Sequence, residues 1–230
     1  MIKYDLVIRS DKVFTDGRLM DCNIGIKNGI ISTISKEDLK AEKVIDAKGK
    51  MVLPGTVDPH VHIRAPGHDE RETFESGSKD AALGGVTTII EMPISAPPPH
   101  SPEIVKNRMN VADKEVVVDI AFYGAAGTDC LDDVIPCSKS GIVAFKTFLH
   151  EALPGRAKEF IGLTAPNTGD QYELMEKVAQ TGVMIGFHAE NNDMINKNIA
   201  RLRSEGKISP MYHGKSRPPV VEIETTSKIL

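Results

Sequence analysis

The chain has 230 residues, 40% of them hydrophobic and 26% charged, which is ordinary globular composition and not that of a disordered, collagen-like or membrane-spanning chain. Its 28 basic and 32 acidic residues leave a net charge of −4, against the balance of a surface built for nucleic acid, so no nucleic-acid partner is expected. The longest apolar runs, such as Val116-Val117-Val118, are far short of a bilayer span, and no membrane partner is expected either.

The first nine residues carry charges inside their apolar run and no cleavage-site pattern, so they do not read as a signal peptide. Leu6-Val7-Ile8 is a short strand core. Ile24 and Ile26 lead into Asn28-Gly29, and residues 30–34 are apolar again. Apolar runs on both sides of Asn-Gly predict a hairpin, because both turn residues must take positive φ. Lys43-Val44-Ile45 turns through Ala47-Lys48-Gly49 into Met51-Val52-Leu53. Residues 1–54 therefore read as a small β domain.

From residue 55 to 230 the pattern changes. Strand-like runs at 56–58, 86–90, 116–122, 142–146 and 183–187 alternate with helical stretches at 73–83, 102–113 and 170–180. Ser101 before Pro102 suits an N-cap followed by proline at the first helical position. Gly84 and Gly182 stand where C-cap glycines belong. Further helices are expected at 192–204 and 220–230. Such alternation predicts a parallel sheet with crossover helices. Five units fit an open doubly wound sheet, whereas a closed barrel needs eight strands and about 250 residues.

Three ends of predicted strands carry chemistry. Asp58-Pro59-His60-Val61-His62 closes the first, and in an extended segment His60 and His62 share a face, where two imidazoles can grip one metal ion. Taken alone, H-x-H is a weak pattern. Phe187-His188-Ala189-Glu190 closes the fifth strand, where His188 is either a ligand or a hydrogen-bonded core histidine. Lys146 lies among Val143, Ala144, Phe145, Phe148 and Leu149. A buried ammonium is costly. Either it reaches solvent, or a neutral amine has taken up carbon dioxide to give an anionic carbamate able to bridge two metals. Arg64 either clamps a substrate carboxylate or pairs with Asp69 or Glu70. His68, His100, His150 and His213 read as solvated surface residues, and Asp58 as structural. Cys22, Cys130 and Cys137 are odd in number and lack C-x-x-C spacing, which suits a reducing, cytoplasmic location.

Leu53-Pro54-Gly55-Thr56-Val57-Asp58-Pro59-His60-Val61-His62 resembles the opening signature of the amidohydrolase superfamily. The likeness continues through Arg64-Ala65-Pro66-Gly67, Gly84-Gly85-Val86-Thr87-Thr88, Glu91-Met92-Pro93, Phe145-Lys146-Thr147-Phe148 and Phe187-His188-Ala189-Glu190-Asn191. It is similar to the cyclic amidohydrolase branch of allantoinase, dihydroorotase and dihydropyrimidinase or hydantoinase. The resemblance implies an α/β fold, a (β/α)8 TIM barrel that is incomplete in this chain, beside a small β-sandwich-like N-terminal domain. It implies two divalent metal ions, zinc above all. His60 and His62 would bind one, carbamylated Lys146 would bridge both, and His188 would bind the second. The implied reaction is hydrolytic opening of a small cyclic amide or ureide by metal-activated hydroxide, in a full-length homo-oligomer, tetramer or dimer.

The family's further metal histidine and proton-shuttling aspartate would lie beyond residue 230, so no catalytic acid–base residue is assigned. The expectation is a C-terminally truncated chain that is inactive or poorly folded alone. Arg64 resembles the dihydroorotase residue that holds the substrate carboxylate. Met92-Pro93-Ile94-Ser95 departs from the Met-Pro-Asn-Thr of that enzyme, while Glu91-Met92-Pro93 and Phe122-Tyr123-Gly124 lean toward allantoinase. The competing readings are dihydropyrimidinase-type activity, a non-catalytic scaffold that keeps the fold, and an ordinary α/β binding domain with incidental histidines.

Overall fold

The computed structural model of the chain describes residues 3–230. They fall into two compact units, one ending at Gly55 and the other running from Thr56 to Leu230.

The first unit is one mixed sheet. Strands β1 (Tyr4–Thr15), β2 (Arg18–Lys27) and β3 (Ile30–Ser35) form two antiparallel hairpins. Strands β4 (Ala41–Asp46) and β5 (Met51–Val52) both lie parallel to β1. The Asn28-Gly29 turn takes φ of 53° and 75°, as its sequence predicts. Asp16-Gly17 does the same, at 50° and 74°, and makes the hairpin between β1 and β2. A register shift between Ser10 and Val13 breaks the apolar alternation of β1, so the strand is longer than its Leu6-Val7-Ile8 core suggests. The described residues of this unit form a single layer. Both returning strands add beside β1 in the same sheet, and none of the described residues of this unit forms a second one.

The second unit is built on five parallel strands: β6 (Thr56–Val61), β7 (Val86–Glu91), β8 (Asp119–Ala125), β9 (Ala144–Phe148) and β10 (Met184–His188). Helices α1 (Phe74–Leu83), α2 (Pro102–Glu115), the short α3 (Val134–Ser138), α4 (Thr168–Ala179), α5 (Asn192–Ser204), the short α6 (His213–Ser216) and α7 (Pro219–Ile229) connect or follow them. The strands stand side by side in chain order, β10-β9-β8-β7-β6. A doubly wound sheet reverses its strand order at a switch point. This sheet does not, so its order is that of a barrel segment.

Local signals explain most of these bounds. Thr73 and Ser76 cap α1 reciprocally, and the Ser101 hydroxyl accepts the Ile104 N–H at the start of α2. Positive φ after α1 falls on Gly85, at 82°, while Gly84 stays right-handed. Strand β8 starts three residues later than its apolar run. Helix α2 runs on to Glu115, Val116 donates its N–H to Ala112, and the Val117 N–H goes to the Ser78 hydroxyl. Strand β9 is likewise shifted, which puts Lys146 in its middle and not at its end. Phe145, Leu149, Leu174 and Val178 fill one core; Ile63, Phe74, Ile89 and Phe122 fill another.

Candidate metal centre

His60 and His62 stand where β6 ends, with ring centroids 5.2 Å apart. The strand end is fixed from behind by Glu91, the last residue of β7. Its fully buried carboxylate accepts the N–H groups of Ile63 at 2.9 Å and Arg64 at 3.1 Å. The same carboxylate takes Arg108 Nη2 at 2.5 Å, from a guanidinium that is itself buried on α2. Arg108 also donates to the Ser95 hydroxyl and to the Met92 carbonyl. Burial pushes the Glu91 carboxyl up, while Arg108 and the two N–H groups oppose that shift. Arg64 sits at φ 67°, a left-handed conformation uncommon for a side-chain-bearing residue, and the Glu91 carboxylate anchors it there. Asp58 accepts the His60 N–H at 3.0 Å, which is its structural role.

The two imidazoles are neutral donors in waiting. His62 is driven down to about 4, by burial first and then by the charges of His60, Arg64, Lys146 and Arg108. Its Nδ1 is sealed from solvent and has no hydrogen-bond partner in the structure. His60 is also lowered, by burial and then by Lys146. A neutral ring keeps a lone pair for a cation, so the chemistry of this pair fits a metal.

Lys146 is 5% exposed on the central part of β9. Among the described residues no carboxylate pairs with its ammonium, and its Nζ lies 5.3 Å from the centre of the Phe148 ring. Burial lowers its pKa, which favours the neutral amine that carbamate formation requires.

His188 ends β10. Its ring stacks on Phe148 at 5.1 Å, and its Nε2 lies 2.7 Å from Glu190 Oε2. Arg217 holds the other Glu190 oxygen at 3.4 Å. With Nε2 donating to the carboxylate, Nδ1 is the nitrogen left to act as a ligand, the arrangement that orients many metal-binding histidines. His150, His188 and Glu190 each place a ligand atom within 4.8 Å of the others. They border a cavity of about 450 Å³ lined also by Phe148, Phe160 and Arg156.

Thus the structure pairs His60 with His62 and groups His188 with His150 and Glu190. The nitrogens of His60, His62 and His188 do not all fall within 4.8 Å of one another. His150 corrects the expectation of a solvated surface residue. It is buried because Phe148, Phe160 and His188 surround its ring.

Arg64 pairs with neither Asp69 nor Glu70. Its partner is Glu159, at 3.6 Å, which also binds Arg156 at 2.9 and 2.5 Å and approaches His68 at 3.6 Å. The Arg156 hydrogen bond holds the Glu159 carboxyl below its ordinary value near 4.5. A carboxyl depressed on folding stabilises the fold above that value, and the gain is lost as pH falls through the lower, folded value. Glu159→Gln should therefore be less stable than the parent at neutral pH, and the difference should shrink as pH falls below about 4.5. Urea midpoints on both sides of that pH check this, and parallel losses in the two proteins would refute it.

A profile of the amidohydrolase family matches residues 51–214. The chain is 34% identical to an allantoinase of Bacillus licheniformis over 100% of its own length and 51% of that protein's. It is 34% identical to a dihydroorotase of Lactobacillus gasseri, covering 97% of this chain and 49% of the other. The solved L-hydantoinase (dihydropyrimidinase) from Arthrobacter aurescens superposes with a TM-score of 0.89 at 30% identity, over 98% of this chain and 49% of that one. The chain spans about half the length of the relatives it matches. Among the described residues no helix is long and apolar enough to cross a membrane.

Proposed function

The chain belongs to the amidohydrolase family, and from that premise we propose that it carries the metal-binding strand ends of a hydrolase that opens cyclic amides or ureides. Its five parallel strands are read as part of a (β/α)8 barrel, in which functional side chains gather at the carboxyl ends. His60 and His62 would hold one divalent ion and His188 a second, with Lys146, as its carbamate, between them. Zinc suits these nitrogen and oxygen donors. When bound, the metals supply Lewis acidity toward a ring carbonyl and toward water.

The observation that carries the reading is His62 Nδ1, sealed from solvent without a hydrogen-bond partner. Lys146 is a buried residue with no carboxylate paired to it among the described residues. A cation would satisfy the imidazole, and a carbamate would give that cation an anionic ligand. The protein's own residues do the positioning. Glu91 and Arg108 fix the strand end that bears His60 and His62. Phe148 and Glu190 orient the His188 ring. Arg64, on the left-handed turn after His62, is read as the residue that meets the substrate, sharing Glu159 with Arg156. The relatives' names, allantoinase, dihydroorotase and hydantoinase, support the cyclic substrate class.

Elemental mass spectrometry of the purified chain tests this. The parent should hold divalent transition metal, and His60→Asn/His62→Asn should lose about one ion per chain or more. Equal metal content in the two would overturn the reading. Ring-opening assays with allantoin, dihydroorotate and hydantoins then address the substrate.

A further inference from the structure

A second group of side chains of metal-ligand type shares no residue with the centre described above. His100 precedes α2 in the loop after β7, and Cys130 and Asp133 lie on the helical turn Thr128–Asp133 that follows β8. One ligand atom from each lies within 4.8 Å of the other two. They do not satisfy one another. His100 Nδ1 is sealed from solvent and has no hydrogen-bond partner. Its nearest carboxylate oxygen, on Asp133, is 3.8 Å away, too far for a hydrogen bond.

The 3.8 Å between His100 and Asp133 is close to what one ion needs, since tetrahedral zinc with ordinary bond lengths puts its nitrogen, oxygen and sulfur ligands roughly 3.4–3.6 Å apart. The neighbouring polar groups are already engaged. Asp129 takes the Gly162 N–H with both oxygens, at 3.0 and 2.9 Å, and the Cys137 thiol donates to the His100 carbonyl at 3.0 Å. The loop beside His100 is closely packed: Gly162 sits at φ 67°, and a Cβ there would collide with His100 Cβ. This leaves an imidazole, a thiol and a carboxylate, each from a held backbone, with no other work to do.

We propose that His100, Cys130 and Asp133 form a separate transition-metal site of the zinc class, tying the loop after β7 to the turn after β8. Sulfur with imidazole selects such an ion over magnesium or calcium. Binding forms a metal–sulfur bond, and the Cys130 proton is released to solvent. A water completes the coordination. The site shares no residue with the centre of His60, His62, Lys146 and His188, so either can fail without the other.

Cobalt(II) titration of the metal-free full chain, read by absorption, tests the proposal. The other centre offers no sulfur, so a near-ultraviolet sulfur-to-cobalt band reports this site alone. The band should appear, be bleached by added zinc and vanish in Cys130→Ser. It should persist in His60→Asn/His62→Asn. Asp133 is half-exposed, so Asp133→Asn keeps the fold and should weaken cobalt binding about tenfold or more. Absence of the band at millimolar cobalt would overturn the proposal. So would a band that survives Cys130→Ser, which would place the sulfur on Cys22 or Cys137.

Discussion

Glu91→Ala is expected to cost at least about 3–5 kcal/mol, because it breaks a buried ion pair by removing one partner. The Arg108 guanidinium would be left charged in a site where it is 1% exposed. The N–H groups of Ile63 and Arg64 would lose their acceptor at the same time. Each buried donor left unpaired adds its own penalty, about 1–3 kcal/mol. The damage is not confined to stability. The lost acceptor is what holds Arg64 at positive φ and fixes the strand end behind His62. Metal retention should therefore fall together with the denaturation midpoint. Glu91→Ala/Arg108→Met removes both charges and should recover part of the stability, since replacing a whole buried pair by apolar groups is often tolerated. It should not recover metal retention, because the two N–H groups stay unpaired. Chemical denaturation with metal analysis of both variants checks this, and a double variant no more stable than Glu91→Ala would contradict it.

Much of the fold was legible because its signals are local. Asn28-Gly29 needs only two residues to declare a hairpin, and Asp16-Gly17 carries the same information. Helix α5 begins where Asn191 caps it, its side chain accepting the Met194 N–H at 2.9 Å. The limits of β8 were not legible, because Val116-Val117-Val118 reads as strand by composition. What shortens the strand there is Ser78, a residue 39 positions away. The candidate site divides in the same way. His60, His62 and His188 could be placed at strand ends from the chain alone, and Lys146 betrayed itself as a cation among apolar neighbours. The Glu91–Arg108 pair could not be seen, since 17 residues separate its members and neither breaks a local pattern. Asp69 and Glu70 are the carboxylates near Arg64 in the chain. The actual partner, Glu159, comes from a loop that follows β9. His150 looked like a surface residue because the rings that bury it arrive from other segments.

Lys146→Met separates two accounts of the buried lysine by giving them opposite signs. Methionine has nearly the same length and no charge. If the ammonium is simply buried, the change removes a desolvation cost with nothing lost, and the variant should be more stable under all conditions. If the lysine carries a carbamate that holds metal, the gain appears only without metal. We expect the metal-free variant to be more stable than the metal-free parent, because a buried amine without an anion gives way to an apolar side chain. Zinc with bicarbonate, at about 100 times the dissociation constant, should then raise the parent by about 2.7 kcal/mol. The variant should gain much less, so the order of the two proteins narrows or reverses. Both should be compared in a Cys130→Ser background, which removes the other proposed zinc site from the response. Thermal melts with and without zinc supply the numbers. An equal zinc-induced shift in the two proteins would show that Lys146 takes no part in holding the metal, and would reduce the centre to its histidines.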